Sequence, residues 1–255
     1  MGGFTVGAGY ARYRGPATDS AMHAHAAFQI AIAVRGEVAL VDAAGVEHRA
    51  AALVVPPMVR HRMLAAPRLH TWFIEPQSTF AADLRRRYGP GIAPAEDLPA
   101  LRRPDLGPSA VLDPRLLAAL EFLRHGTRTM PEVAAAVGLS PQRLRALARD
   151  QLGLPLPRWR VWAGLARAAE ALRAGQALAE AAATAGFTDQ AHLTRRMREM
   201  IGLTPAAVLP ALRSQPHRPV TPPAELPARR DPPRRPRSPA AVLPALPDQP
   251  VRRPT

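Results

Sequence analysis

The sequence predicts an α+β protein with two folded regions, a β-barrel or sandwich followed by an all-α region. Short apolar runs, several of them ended by proline, fill residues 1–110 and are typical of strands between turns. In residues 111–213, apolar side chains recur every three or four positions, as on helices that bury one face. In residues 214–255, 13 of 42 residues are proline, which predicts a disordered tail.

Three apolar segments of the first region are predicted to be strands. Phe28–Asp42 alternates apolar and polar residues and then turns at Arg35 and Gly36. Ala51–Pro57 and His70–Pro76 are short runs that end at proline. Several short strands between turns favour a barrel or a sandwich, and a short helix is predicted at 81–88.

The composition indicates an anionic partner. The 255 residues include 34 basic residues, all of them arginine, against 20 acidic ones, which gives a formal net charge of +14. The chain has no cysteine, which excludes disulfides, thiolate metal sites and cysteine nucleophiles. No signal peptide and no apolar run of membrane-spanning length is recognisable, so a cytoplasmic protein without membrane contact is expected.

The stretch around Gly138 predicts two short helices joined by a tight turn. Thr129 and Glu132 have the spacing of a capping box, and Gly138 can take the left-handed conformation that ends a helix. Ser140 and Pro141 are suited to cap and begin the next helix. This is the pattern of a helix-turn-helix, although a plain helical hairpin in a bundle is the alternative.

A second unit with the same pattern favours the helix-turn-helix. In Leu178–Met200 the turn falls at Gly186, Thr188 is the predicted cap and Leu193 is predicted to pack inward. The helix predicted between the units, Arg158–Ala174, spans about 27 Å at 1.5 Å per residue. It could hold the two second helices about one DNA turn, near 34 Å, apart. Its predicted apolar stripe consists of Trp159, Trp162, Ala166, Ala169 and Leu172.

Residues from about Leu116 to Leu209 resemble the DNA-binding region of the AraC/XylS family of transcription regulators. The segments that carry the resemblance are VAAAVGLSPQRLRALARDQLGLPLPRW and AAATAGFTDQAHLTRRMREMIGLTP. The resemblance implies a twin helix-turn-helix joined by a linker helix, with double-stranded DNA as its partner. It also implies that the helices starting at Pro141 and Asp189 are the recognition helices.

By this resemblance, eight residues of the two recognition helices are predicted to contact DNA. Arginine can bind guanine through two hydrogen bonds, glutamine can bind adenine, and either can bind phosphate. For each residue the alternative is a solvated helix face or a phosphate contact that reads no base. The eight are Gln142, Arg143, Arg145, Arg149, Gln190, His192, Thr194 and Arg195. The predicted core residues beside them are Leu144, Leu147, Leu193 and Met197.

Residues 20–76 resemble a cupin barrel. His23, His25 and Gln29 match the first cupin motif with Gln in place of the usual Glu, and PPMVRHRM matches the second with His61. The resemblance implies a cupin-like barrel that senses a small-molecule effector. Two histidines at i and i+2 of a strand share a face, and a third could complete a site. Two interpretations stay open: a metal site of His23, His25, Gln29 and His61, or barrel residues that hold none.

The favoured hypothesis is a sequence-specific transcription regulator, not an enzyme and without catalytic residues. Its predicted organisation is a cupin-like effector-sensing domain at 1–110, an AraC-type twin helix-turn-helix domain at 111–213 and the tail at 214–255. RNA polymerase as a partner and dimerisation through the first domain are expected by analogy. The alternatives are a metal-dependent cupin enzyme with an appended helical domain and a non-specific nucleic-acid binder. The missing Glu and the twin units favour the regulator.

Overall fold

The computed structural model describes residues 3–98, 104–125 and 128–213. A sheet-rich region precedes a helical one, which confirms the predicted fold class. The tail at 214–255, for which the sequence predicts disorder, lies outside the described residues. The strands are β1 (Gly3–Gly7), β2 (Tyr10–Ala17), β3 (Phe28–Ala33), β4 (Val38–Asp42), β5 (Glu47–Ala50), β6 (Ala52–Val55), β7 (His61–Met63), β8 (Ala66–Ile74) and β9 (Ala93–Pro94). The helices are α1 (Thr79–Arg87), α2 (Pro114–His125), α3 (Met130–Ala136), α4 (Pro141–Leu152), α5 (Leu156–Arg173), α6 (Leu178–Thr184), α7 (Gln190–Ile201) and α8 (Pro205–Arg213).

The strands form two antiparallel sheets, ordered β1-β2-β8-β3-β6-β9 and β5-β4-β7. One apolar core joins the sheets, since Ala31 and Leu53 of the larger sheet belong to the same buried cluster as Leu40 of the smaller one. Neighbouring residues in β3, such as Ile30, face the other way and belong to a cluster with Leu84 of α1. Both faces of β3 are therefore covered, which explains its nearly continuous apolar sequence.

The predicted turn is confirmed, with Gly36 at φ 69° between β3 and β4, but the two strands belong to different sheets and do not pair with each other. The sequence pattern did not predict the strands β1, β2, β5, β7 and β9. In β2 the sequence YARYRGPA has no apolar run, because most of its residues are at least partly exposed. Its strand conformation comes from pairing with β1 on one side and β8 on the other, and such tertiary pairing leaves no periodic signal.

Helix α5 lies at the centre of the helical region and contacts α2, α6, α7 and α8. Its buried surface is wider than the predicted stripe. Trp159, Trp162 and Leu172 are buried as expected, whereas Ala166 and Ala169 are only partly buried. Other buried positions of α5 are Leu156, Ala163, Gly164, Leu165, Ala168 and Ala171. A helix packed on several sides needs more than one apolar stripe.

Helix α8 was not predicted, because Pro210 lies in its interior and proline normally breaks a helix. It packs against both α5 and β1. The large helical core likewise includes Ala11 and Phe73 from the sheet region. Since apolar packing runs across residue 110, the domain boundary placed there stays a prediction.

A polar cluster also joins the two regions. Arg124 of α2 donates to the carboxylate of Glu75, just after β8, over 3.1 Å, and its guanidinium lies 5.1 Å from the ring centre of Trp159. Gln77 donates to Glu75 over 2.6 Å and accepts from the Trp159 indole over 3.4 Å. Glu75 is 3% exposed, so its charge depends on these partners for compensation.

Within the described residues, no helix has both the length and the apolar character needed to cross a membrane.

Candidate nucleic-acid interface

The first helix-turn-helix unit consists of α3 and α4, and its local structure follows the sequence signals. Thr129 and Glu132 form the predicted capping box. Gly138 has φ 67°, the left-handed conformation that lets the chain turn sharply. Ser140 accepts a hydrogen bond from the Arg143 amide over 3.2 Å and caps α4. Leu144 and Leu147 are buried as predicted, so the opposite face of α4 is the one presented outward.

The second unit consists of α6 and α7, and here the predicted cap is wrong. Asp189, not Thr188, is the N-cap of α7, and its carboxylate accepts from the His192 amide over 2.6 Å. The Thr188 hydroxyl lies 3.3 Å from His192 Nδ1 instead. The longer turn after Gly186 moves the helix start by one residue, and Asp is as good a cap as Thr. Leu193 and Met197 are buried as predicted.

Most of the eight predicted DNA-contact residues have free side chains. Among the described residues, the guanidinium groups of Arg145, Arg149 and Arg195 have no ion pair or hydrogen-bond partner, and all three residues are exposed. Unpaired arginines on an outward helix face are available for phosphate or base edges. Gln142, Arg143 and Gln190 are exposed as well.

His192 and Thr194 are less available. His192 and Thr194 are both partly buried. The Thr194 hydroxyl donates to the Gln190 carbonyl over 2.9 Å. The His192 ring packs edge-on against Phe187 with centres 5.4 Å apart, and its Nε2 accepts from Arg196 over 3.2 Å. The structure therefore gives both residues local structural contacts, and their DNA contacts stay predictions.

Arg167 of α5 positions the second unit, a role that the sequence did not indicate. Its guanidinium donates to the Ala185 carbonyl over 2.8 Å, beside the turn of the second unit. It also donates to the Arg124 carbonyl near the end of α2. One side chain thus ties the second turn to the helix that precedes the first unit. No local sequence pattern marks such a contact, because its partners are backbone carbonyls distant in sequence.

The four predicted cupin residues come together. His23, His25, Gln29 and His61 are all buried. The Nε2 atoms of His23 and His25 are 3.2 Å apart. The Gln29 side-chain oxygen lies 2.9 Å from His25 Nε2 and 2.7 Å from His61 Nε2. The potential ligand atoms of the three histidines all lie within 4.8 Å of one another. We call these four residues the histidine cluster.

Backbone pairing and one unusual residue position the cluster. His23 and His61 exchange backbone hydrogen bonds of 2.9 and 3.0 Å. Met58 has φ 67°, a strained value for a residue with a side chain, and its amide donates to the His25 carbonyl over 2.8 Å. Glycine adopts this left-handed backbone without such strain.

Burial keeps the imidazoles neutral. Loss of solvent lowers the pKa of His23 below its usual value and that of His25 well below it. Burial, together with the nearby His23, lowers the pKa of His61 to about 4. At neutral pH the cluster therefore presents unprotonated nitrogen atoms, which is the form that binds metals.

A cavity of about 270 Å³ adjoins the histidine cluster. His23, His25 and Gln29 line it from the sheet region, and Ile201 and Val208 from α7 and α8. The remaining lining is mostly apolar, and none of the lining residues carries a formal charge apart from titratable histidine. The cavity thus lies between the sheets and the end of α7.

The same helix end contacts the histidine cluster directly. The Ala24 amide donates to the Glu199 carbonyl over 3.2 Å. Gly202 ends α7 with φ 74°, and a Cβ built on it would lie 2.6 Å from His23 Nδ1. Only glycine lets the end of α7 approach the His23 ring this closely.

Replacing Gly202 with Ala is expected to destabilise the fold more than the same change at Gly138. Both positions have positive φ, which costs about 1–2 kcal/mol for Ala. A Cβ at Gly138 would meet no atom within 4 Å, whereas one at Gly202 must displace His23, which adds about 1–3 kcal/mol. Chemical denaturation of both variants measures the difference. Equal losses of unfolding free energy would mean that the contact with His23 is not tight.

Comparisons with known proteins agree with this geometry. A family model described as a helix-turn-helix domain matches residues 133–210. No curated protein sequence matches the chain.

Solved structures include two of ToxT from Vibrio cholerae that share the fold. The structure from strain O395 is 8% identical with a TM-score of 0.52, covering 81% of this chain and 99% of ToxT. The structure with a bound unsaturated fatty acid, from strain SCE256, is 10% identical with a TM-score of 0.52, covering 78% of this chain and 94% of ToxT. An AraC-type regulator from Chromobacterium violaceum is 23% identical over 41% of this chain and 96% of its own, with a TM-score of 0.38.

The two helix-turn-helix units packed on α5 and the family match together identify a helix-turn-helix domain at 133–210, in a chain that shares its fold with ToxT.

Proposed function

We propose that this protein is a sequence-specific transcription regulator that binds double-stranded DNA through α4 and α7 and has no catalytic activity of its own. The observation that carries the proposal is the pair of helix-turn-helix units, each with an outward recognition helix that bears unpaired arginines. The predicted contact residues are Gln142, Arg143, Arg145, Arg149, Gln190, His192, Thr194 and Arg195. The proposed place of action is the cytoplasm.

The rigid connection between the units supports binding to two successive segments of the major groove. Helix α5 has 18 residues and is therefore about 27 Å long at 1.5 Å per residue. Arg167 fixes the second turn against α5. Two recognition helices held at a fixed spacing would read two half-sites on one face of the duplex, about 10 base pairs apart.

Hydroxyl-radical footprinting of DNA selected from a random pool by the full chain tests this arrangement. We expect two protected segments about 10 base pairs apart on one face. A single protected segment, or no enrichment of any sequence, would contradict the twin-site proposal.

We further propose that the cavity between the sheets and α7–α8 binds the effector. The cavity touches both the histidine cluster and the last residues of α7, so a ligand there would bias the position of a recognition helix. A ligand has this effect only if it binds the two positions with different affinity. The apolar lining with neutral imidazole, amide and hydroxyl groups favours an apolar molecule with a hydrogen-bonding head group.

Decanol and decanoate are suitable probes of the cavity, given that one ToxT structure holds a fatty acid. In the presence of a chelator, we expect decanol to raise the melting temperature more than decanoate, because no arginine lines the cavity. Ala207 lines the cavity and is exposed, whereas the neighbouring Ala206 is exposed and does not line it. Ala207→Phe should abolish the stabilisation and Ala206→Phe should keep it. Equal effects of the two variants would place the ligand elsewhere.

Dimerisation through the sheet region and contact with RNA polymerase belong to the same proposal. Both would follow from the regulator role, and sedimentation of the full chain with and without DNA tests the first. A chain that stays monomeric on DNA at micromolar concentration would exclude dimerisation.

A further inference from the structure

Three arginines and one histidine lie together on one face of the larger sheet. Arg12 and Arg14 are two residues apart on β2, so their side chains share a face. Arg14 pairs with His70 across the ladder between β2 and β8, and Arg68 lies two residues before His70 on β8. We call Arg12, Arg14, Arg68 and His70 the arginine face.

The charges of the arginine face are not compensated within the part of the chain that the structure describes. Arg14 and Arg68 are exposed, and neither guanidinium group has an ion pair or a hydrogen-bond partner there. The strands β1, β2, β3 and β8 contain no acidic residue. Partial burial, and then the charges of the three arginines, lower the pKa of His70, which agrees with guanidinium groups placed around its ring. The face therefore presents unpaired positive charge to solvent.

An aromatic ring holds Arg12 in place. Its guanidinium lies 5.1 Å from the ring centre of Trp72, the residue that it pairs with across the ladder. Trp72 is buried and belongs to the same apolar cluster as Leu84 of α1. An arginine that already rests on a buried ring loses less side-chain freedom when it binds a partner.

The arginine face and the helical region lie on opposite sides of the same two strands. Ala11 and Phe73 are the pair next to Arg12 and Trp72 in the ladder, so their side chains point the other way. Both belong to the large helical core. The helices thus pack on the other side of β2 and β8, which leaves the arginine face available to a partner other than the DNA that α4 and α7 are proposed to bind.

We propose that the arginine face binds an extended acidic segment of a partner protein with carboxylates at alternate positions. Side chains two residues apart on a strand are about 6.8 Å apart, and an extended peptide repeats at the same interval. Arg12 and Arg14 can each bind one carboxylate through two parallel hydrogen bonds. Arg68 lies beyond Arg14 along the ladder and can bind a third. The binding itself does not depend on the proposed function, whereas its meaning as recruitment of a protein to DNA rests on it.

A protein segment fits this face better than a second DNA duplex. A protein that depends on charge to bind a duplex neutralises on the order of 6–10 phosphates, and the face has three arginines. Val34 adds an apolar contact that phosphate groups cannot use: it is 40% exposed, and its amide donates to the Arg68 carbonyl over 3.3 Å. Protein interfaces combine arginine with apolar side chains in this way.

Two fluorescent peptides of equal composition and charge test the proposal on the full chain. The peptide SESESES has its glutamates at alternate positions, whereas EESSSSE has no two glutamates two positions apart. Fluorescence anisotropy is measured at low salt, where exposed charges are least screened. We expect the alternating peptide to bind about fivefold or more tightly than its isomer, because it forms additional ion pairs and one exposed pair contributes up to about fivefold in affinity.

A double variant assigns this preference to the arginine face. Arg14→Gln with Arg68→Gln should abolish the preference, and Arg12 is kept because it covers the ring beneath it. Arg60→Gln with Arg115→Gln is the charge-matched control, since both residues are exposed and lie outside the arginine face. The control should retain the preference of the parent chain.

The outcomes separate the proposal from its alternatives. Equal affinity of the parent chain for the two peptides, or an unchanged preference in the double variant of the arginine face, overturns the proposal. If that variant instead loses affinity for a scrambled duplex while its peptide affinities stay unchanged, the face contacts nucleic acid and the proposal is wrong. The peptide measurements use no DNA, so their failure is distinguishable from failure of the proposed regulator function.

Discussion

Replacing Arg145 and Arg195 together with Ala is expected to remove most of the preference of this protein for its own DNA site. The two residues lie on the outward faces of α4 and α7, and their guanidinium groups have no partner among the described residues. An arginine that binds a base edge contributes about 1–3 kcal/mol of discrimination. Losing two is therefore expected to reduce specific affinity by about 30-fold or more. Fluorescence anisotropy with a selected duplex measures the loss.

Arg86→Ala is the charge control for this experiment. Arg86 belongs to α1 in the sheet region and is highly exposed, with a side chain 77% accessible. Removing it lowers the net charge without touching either recognition helix, so specific affinity should change little. If Arg145→Ala and Arg195→Ala weaken binding to all duplexes equally, both side chains contact phosphate and do not read bases.

Replacing Glu75 with Ala is expected to lower the free energy of unfolding by about 3 kcal/mol, because removing one partner of a buried ion pair leaves the other charge uncompensated. The Arg124 side chain retains 21% exposure, so the effect should lie at the lower end of the usual 3–5 kcal/mol. A midpoint shift of about 6–12 °C would follow. Thermal denaturation of Glu75→Ala, of Arg124→Ala and of the double variant measures the coupling free energy between the two side chains.

The exposed pair of Asp83 and Arg86 gives the matched control. Exposed ion pairs contribute about 0–1 kcal/mol, so Asp83→Ala should have a small effect. If the effects of Glu75→Ala and Arg124→Ala add without coupling, the ion pair is not what joins the sheet region to α2.

The helices of the second region were predictable because the residues that begin and end them act locally. Thr129, Gly138 and Ser140 act through their own backbone conformation and through hydrogen bonds three residues away, and all three have the expected roles. The one wrong prediction among the caps concerns the N-cap of α7. Thr188 and Asp189 are adjacent and both suited to capping, and only the geometry of the turn selects Asp189. Strands such as β2 depend on distant partners and were missed.

The histidine cluster was predictable in membership but not in its surroundings. The resemblance to the cupin motifs identified these residues, and the fold brings His23, His25 and Gln29 to His61 as expected. The contact of Gly202 with His23 and the cavity beside it arise where α7 and α8 meet the sheets. Residues more than a hundred positions apart form these features, so no local pattern in a single sequence indicates them.

The architecture suggests how an effector could act on DNA binding. The cavity and the cluster both touch the end of α7, while α4 of the first unit does not line the cavity. A ligand would therefore act first on the second half-site. The first half-site would respond through α5 and through Arg167, which contacts the Ala185 and Arg124 carbonyls.

In the proposed function, α4 and α7 read DNA sequence. The most direct test of this role is the fluorescence anisotropy of the full chain, at two salt concentrations, with a duplex from its own upstream region and with a scrambled duplex. We predict a preference of about a hundredfold or more, within the range of specific DNA-binding proteins, that persists at the higher salt. Equal affinities that fall steeply with salt would mean that the arginine charge alone binds DNA, and would contradict this role.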